Sequence, residues 1–204
     1  MIRIILLLLT FSPTLMAQKI QVVDQNSQPV ANAVVWLKDH SQSPSTEASY
    51  TMSQENRAFS PHVLVVPKGA NVEFPNLDSI MHHVYSFSKA KHFELKLYRD
   101  KPEKPVRFEQ TGVVELGCNI HDWMLGYIVV VDSPSFAQTD EQGFVDLDLP
   151  EGTFELAIWH DRLSDISEPE ITSFNSKNSV LRYQLKQALL PALELSSDEF
   201  DDYE

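Results

Sequence analysis

The sequence predicts an all-β protein. Helical periodicity is nearly absent, and short alternating runs bounded by turn residues dominate. Twelve prolines and six glycines are scattered through 204 residues rather than clustered, which suggests many turns and no low-complexity tract. An apolar content of 43% is normal for a globular chain that builds a core. The length fits one large domain or two small ones.

The first residues read as a leader. Arg3 forms a short basic region, "IILLLLTF" an apolar one, and "TLMAQ" places the small residue Ala17 before a cut. The apolar run is well short of the roughly 20 residues that a spanning helix needs. The expectation is a secretory signal over residues 1–17, a periplasmic mature chain and no stable membrane insertion after cleavage.

From there the elements follow in order. "KIQVVDQNSQPVANAVVWLKD", residues 19–39, reads as two strands around a turn at Asp24, Asn26, Ser27 and Pro29. "HSQSPSTEA", residues 40–48, is a polar linker. "VLVVPKGANVEF" reads as strand, Pro-Lys-Gly turn, strand, and "HHVYSF" as another strand. "FELKLY" alternates Phe93, Leu95 and Leu97 against Glu94 and Lys96, and "DKPEKPV" is a loop. "VVELGC" and "YIVVVD" flank a short loop. Phe144–Leu149 and Thr153–Trp159 are strands around Pro150-Glu151-Gly152. Residues 162–178 are polar and read as loop, and residues 180–190 as a last strand or a short helix.

Net charge is −13, which makes nucleic acid a poor partner. "SSDEFDDYE", residues 196–204, carries five acids and no base. It reads as a solvated tail, with an electrostatic handle for a basic protein as the sharper alternative.

The chemistry centres on "LGCNIHDWM", residues 116–124, which holds the only cysteine. One cysteine forms no internal disulfide, and a lone thiol in an oxidising compartment calls for burial or a metal. Val114, Leu116 and Cys118 share one strand face, so Cys118 points to the core where the strand ends. His121 and Met124 fall in the tight loop before Gly126. A trigonal copper site uses two histidines, a cysteine and a weak axial methionine. The second histidine comes from "NLDSIMHHVYSF", where His82 shares a face with Val84 and Ser86, and His83 shares the other with Tyr85 and Phe87. The plainer alternative is a buried structural cysteine. Zinc fits less well, because methionine is a poor zinc ligand and no second cysteine or well-placed carboxylate accompanies it. His40, His62, His92 and His160 show no ligand-like spacing and read as surface or hydrogen-bonded residues.

The block from about 47 to 132 resembles a cupredoxin of the plastocyanin and amicyanin kind. "AFSPHVLVVPKGANVEFPN" resembles that family's second and third strands. His82, six residues after Asn76 and two before Val84, resembles its first histidine ligand. "CNIHDWMLGYIVVV" resembles the amicyanin-type Cys-x-x-His-x-x-Met loop. The resemblance implies a Greek-key β-sandwich, one type 1 copper, and the ligand set His82, Cys118, His121 and Met124. It departs at His83, where the family has an asparagine that ties the ligand loops together, and at Asp122 and Trp123. Trp123 is expected either as a core ring or as part of an apolar patch beside His121.

"VVDQNSQPVANAVVWLKD" and "QTDEQGFVDLDLPEGTFELAIWH" resemble two halves of a carboxypeptidase regulatory-like β-sandwich, through Val22, Asp24, Pro29, Val30, Ala33 and Val35, then Thr139, Asp140, Gly143, Leu149, Pro150, Gly152 and Phe154. The expected organisation is a split sandwich at 18–45 and 133–190, a cupredoxin at 46–132 and a tail at 191–204. The alternative is that residues 19–39 only add strands to the cupredoxin sheet. The expected function is one-electron transfer with a c-type cytochrome or a dehydrogenase, linked by analogy to amine oxidation. A copper-delivery module or a binding scaffold is the alternative. No second copper site or open-coordination triad is visible, so an enzyme is not expected.

Overall fold

The computed structural model describes residues 15–39, 49–102, 104–176 and 180–192. The polar linker, most of the leader and the acidic end lie outside them. Among the described residues there is no helix. The chain runs through β1 (Leu15–Val23), β2 (Val34–Leu37), β3 (Ser49–Thr51), β4 (Ser53–Glu55), β5 (Ala58–Ser60), β6 (Val63–Pro67), β7 (Ala70–Glu73), β8 (His82–Ser88) and β9 (Lys91–Tyr98). It continues through β10 (Val106–Phe108), β11 (Gly112–Gly117), β12 (Leu125–Val131), β13 (Phe136–Gln138), β14 (Phe144–Pro150), β15 (Thr153–Trp159), β16 (Glu170–Asn175) and β17 (Val180–Gln184).

Four sheets stack face to face and enclose three apolar layers. The outermost has the order β14-β1-β17, the next β13-β2-β15-β16, the third β6-β12-β11-β8-β9, and the last β10-β7-β3. Ile20, Val22, Val35, Leu147, Leu156, Ile158 and Leu181 fill the layer between the first two. Val66, Val72, Phe74, Val84, Phe108, Val114, Leu116 and Ile128 fill the layer between the last two. The middle layer is Val34, Trp36, Val63, Val65, Tyr127, Val129, Val131, Ala157 and Trp159, where the two sandwiches meet. Burial of each large apolar side chain contributes roughly 1.5–3 kcal/mol.

The middle layer explains a pattern that single-face alternation misses. β2 is buried at all four positions and β12 at its last six. "VVWL" and "GYIVVV" are continuous runs because both faces of these strands are covered.

The chain's first strands pair with its last ones. β1 lies antiparallel to β14 and parallel to β17, while β2 pairs with β13 and β15. They therefore add no strand to the sheets that draw on β3 and β6 to β12. Buried Thr139 fastens the two segments together: its hydroxyl donates to Val30 O (2.7 Å) and accepts from Ala33 N (2.9 Å). β1 starts at Leu15, inside the expected leader, but Met16 and Ala17 are exposed and bury no side chain in the core.

Two expectations need correction. Residues 162–178 are not all loop, since β16 pairs with β15 from Ile158↔Glu170 to Thr153↔Asn175. Its inward end is a buried glutamate: Glu170 accepts from Tyr183 Oη (2.7 Å) and from Lys186 N (2.9 Å), so the strand reads as polar. Residues 180–184 form a strand, the first of the two expected forms, and it ends at Gln184. The alternation of β9 fails at Leu97, which is exposed. The pairing slips between His82↔Tyr98 and Val84↔Leu95, and the extra residue turns Leu97 out and Tyr98 in.

Candidate metal centre

β11 and β12 form an antiparallel pair with Val114 opposite Ile128 and Gly117 opposite Leu125. Two glycines let neighbouring rings close on the roots of the loop between them. A Cβ on Gly117 would stand 2.8 Å from the Tyr85 ring, and one on Gly126 would stand 2.8 Å from Phe59. Val114, Leu116 and Cys118 all face the core, as alternation predicts, and Met124 is buried in the same core layer. Met124 N donates to His121 O (3.0 Å), which closes the turn.

β8 delivers the other histidine. His82, Val84 and Ser86 point inward, and His82 is fully buried. Its Nδ1 lies 4.0 Å from Cys118 Sγ, and His121 Nδ1 lies 3.7 Å from the same sulfur. The ligating atoms of His82, Cys118 and His121 all fall within 4.8 Å of one another. Bonds of about 2.1 Å to nitrogen and 2.3 Å to sulfur, at a trigonal angle, put N and S about 3.8 Å apart. The two observed separations bracket that value, so the donors fit one ion. Two imidazoles, a thiol and a buried thioether nearby form a soft to borderline set suited to copper.

The two histidines differ in their surroundings. His121 is half-buried and its ring lies 5.3 Å from Trp123. Burial, then the charges of His82 and Arg57, hold its imidazole below the ordinary value against the opposing pull of Asp78. The lowered value favours the neutral imidazole, the form that binds metal. His82 instead meets Asp78 Oδ2 through Nε2 at 2.8 Å. Burial alone would raise the Asp78 carboxyl, but hydrogen bonds from Arg57 N, His82 and Asn56 N outweigh it and hold the group low.

Asp78 was not among the residues singled out from the sequence. It sits in the irregular stretch before β8, where no periodicity points a side chain anywhere. The only local signal is an acid four positions before a histidine.

His83 takes the opposite face. Its Nε2 lies 2.9 Å from Glu94 Oε1 on β9, and its Nδ1 is buried without a partner. It does not join the three-donor cluster. Trp123 packs against the core layer, as one of its two expected readings has it, lies beside His121, and borders a cleft of about 1100 Å³ that Tyr85, Phe87 and Trp36 also line. His62 and His160 are hydrogen-bonded, as expected of them, to Asp161 and to Ala31 O respectively. Among the described residues no helix is long and apolar enough to cross a membrane.

No family model and no curated protein matches the chain. Among solved structures it is similar to a purple cupredoxin from Nitrosopumilus maritimus, 24% identical over 40% of this chain and 98% of that one, with a TM-score of 0.35. It is also similar to the reduced Cu(I) form of an amicyanin mutant, 20% identical over 47% of this chain and 97% of that one, with a TM-score of 0.35. A third is a copper-containing nitrite reductase from Thermus scotoductus, 23% identical over 53% of this chain and 28% of that one, with a TM-score of 0.38.

Proposed function

We propose that this chain is a one-electron carrier that holds one copper ion with His82, Cys118, His121 and Met124. The observation that carries the reading is the convergence of two imidazole Nδ1 atoms on one buried sulfur, at 3.7 and 4.0 Å. Copper bound there supplies the one-electron chemistry by cycling between Cu(II) and Cu(I). Cys118 would hold the ion through its thiolate, His82 and His121 through imidazole, and Met124, buried in the same core layer, through its thioether. Buried Val114 and Leu116 keep water from the sulfur. Half-buried His121, with Trp123 beside it, is the side from which an electron enters.

The leader at 1–17 directs the chain to the periplasm. Its partner is a c-type cytochrome or a dehydrogenase, and the resemblance to amicyanin suggests a link to amine oxidation. The acidic stretch at 196–204 suits a partner with a basic face. With Met124 in the donor set, no position would be left for a substrate, which favours transfer over catalysis. The flanking sandwich is of the carboxypeptidase regulatory-like kind and serves as scaffold.

The test is the absorption spectrum of the purified protein with copper. An intense blue band from thiolate-to-copper charge transfer is expected, and Cys118→Ser should abolish it. A colourless complex that takes only Cu(I) would replace electron transfer with copper delivery. A blue band that survives in Cys118→Ser would overturn the ligand assignment.

A further inference from the structure

The geometry points to Asp78 as a positioning residue that locks His82 in its Nε2–H tautomer and biases the site toward the divalent over the monovalent ion. The first half of this concerns the protein alone, and the second rests on the copper reading above.

His82 is fully buried and has two ring nitrogens with separate tasks. Nε2 lies 2.8 Å from Asp78 Oδ2, and Nδ1 faces Cys118 Sγ at 4.0 Å. A carboxylate only accepts, so Nε2 must carry the proton and Nδ1 must present its lone pair. That is the tautomer a metal on the Cys118 side needs.

Asp78 is itself held from several directions. Asn56 N donates to its Oδ1 (2.8 Å) and Arg57 N to its Oδ2 (2.9 Å). These two residues form the tip of the β4–β5 hairpin, and both have φ of 56°. This left-handed pair turns two consecutive amides toward the carboxylate. Asp78 N donates to Asn76 Oδ1 (3.0 Å), and Asn76 Nδ2 donates to Ile80 O (2.8 Å) and Tyr98 O (3.3 Å). The carboxylate is a fixed anion behind the ring rather than a side chain that happens to reach it.

A full carboxylate on Nε2–H raises the basicity of the imidazole, and its charge acts on the ion through the ring. Both effects favour the more highly charged ion. A peptide carbonyl in the same place would set the tautomer but supply much less charge.

The experiment has two arms. In the metal-free protein, ¹⁵N-histidine NMR should show His82 as the Nε2–H tautomer with a slowly exchanging proton. Observation of the Nδ1–H tautomer would overturn the proposal without any variant being made. In the second arm, Cu(II) and Cu(I) affinities are compared between the wild type and Asp78→Asn. Cu(II) affinity should fall about 10-fold or more and Cu(I) affinity clearly less. A tenfold fall in their ratio equals a rise of about 59 mV in reduction potential. Equal losses for both ions would overturn the bias and leave Asp78 a merely structural residue. A wild type that shows the Nε2–H tautomer but binds no copper would sink the copper reading, and the bias with it, while the tautomer assignment holds.

Discussion

Asp78 and Asp161 each accept hydrogen bonds from histidine, one beside Cys118 and the other where the two sandwiches meet. Asp161 lies between two rings: His62 Nε2 is 3.1 Å from its Oδ2 and His160 Nδ1 is 2.8 Å from its Oδ1. His62 precedes β6 in one sandwich and Asp161 follows β15 in the other, so the contact bridges them. His160 spends its remaining nitrogen on Ala31 O at 3.1 Å. His82, by contrast, turns its second nitrogen toward a thiol and another imidazole. The same pair of groups is a fastener where the remaining valence is consumed and half of a binding site where it is left available. Counting histidines near acids would not separate the two cases, but following the second ring nitrogen does.

The comparison can be broken most directly at Cys118. Cys118→Ser should weaken copper binding beyond the roughly 100-fold ceiling typical of outer-shell partners, measured by competition titration. It should leave the seam between the sandwiches intact. The reverse experiment is Trp159→Ala, which removes a fully buried ring from the middle layer and its hydrogen bond to Ile166 O (2.7 Å). It should cost about 3–5 kcal/mol in denaturant unfolding without moving the copper absorption band. A shifted band would mean that seam and site are coupled.

Asp161→Asn is the subtler seam variant. Burial would raise this carboxyl, but hydrogen bonds from His160 and His62, with their charges, hold it far below the usual range. A depressed folded-state value means that the contribution is complete above the unfolded value near 3.9 and is lost as pH falls toward the folded one. The variant should therefore lose about 2 kcal/mol at neutral pH. The difference in Tm between the two proteins should persist down to about pH 4 and shrink only below it. A gap that widened as pH fell from 7 to 5 would place the titrating group on the histidines instead. The smallest effect is expected at His83→Gln. That side chain faces Glu94 rather than the donor cluster, so stability should change by about 0.5 kcal/mol or less, with the copper spectrum unchanged.

The donor cluster was largely legible from strand parity. Val114, Leu116 and Cys118 fell on one face, and parity set His82 and His83 on opposite faces without choosing between them; the choice of His82 came from the resemblance, through its spacing to Asn76 and Val84, and His82 is the inward one. The fold was legible wherever strands are covered on one side only. It was opaque where both sides are covered, as in β2 and β12, because a run such as "YIVVV" gives no sign of what covers its second face. β16 escaped notice because its buried anchor is a glutamate, and Leu97 was misplaced by a slip in pairing that leaves no trace in residue type. Asp78 was hidden for a different reason. Its role depends on a hairpin tip some twenty residues earlier, and no local pattern links the two.

The placement of β1 also bears on how the molecule is assembled. β1 is the middle strand of its sheet and has the last strand, β17, beside it. The β1–β17 pairing closes a loop that contains nearly the whole chain, whereas the sheets around Cys118 draw only on strands from β3 to β12. Distant pairings cost more chain entropy and form late. The cluster of His82, Cys118 and His121 can therefore be shaped while the terminal strands are still apart.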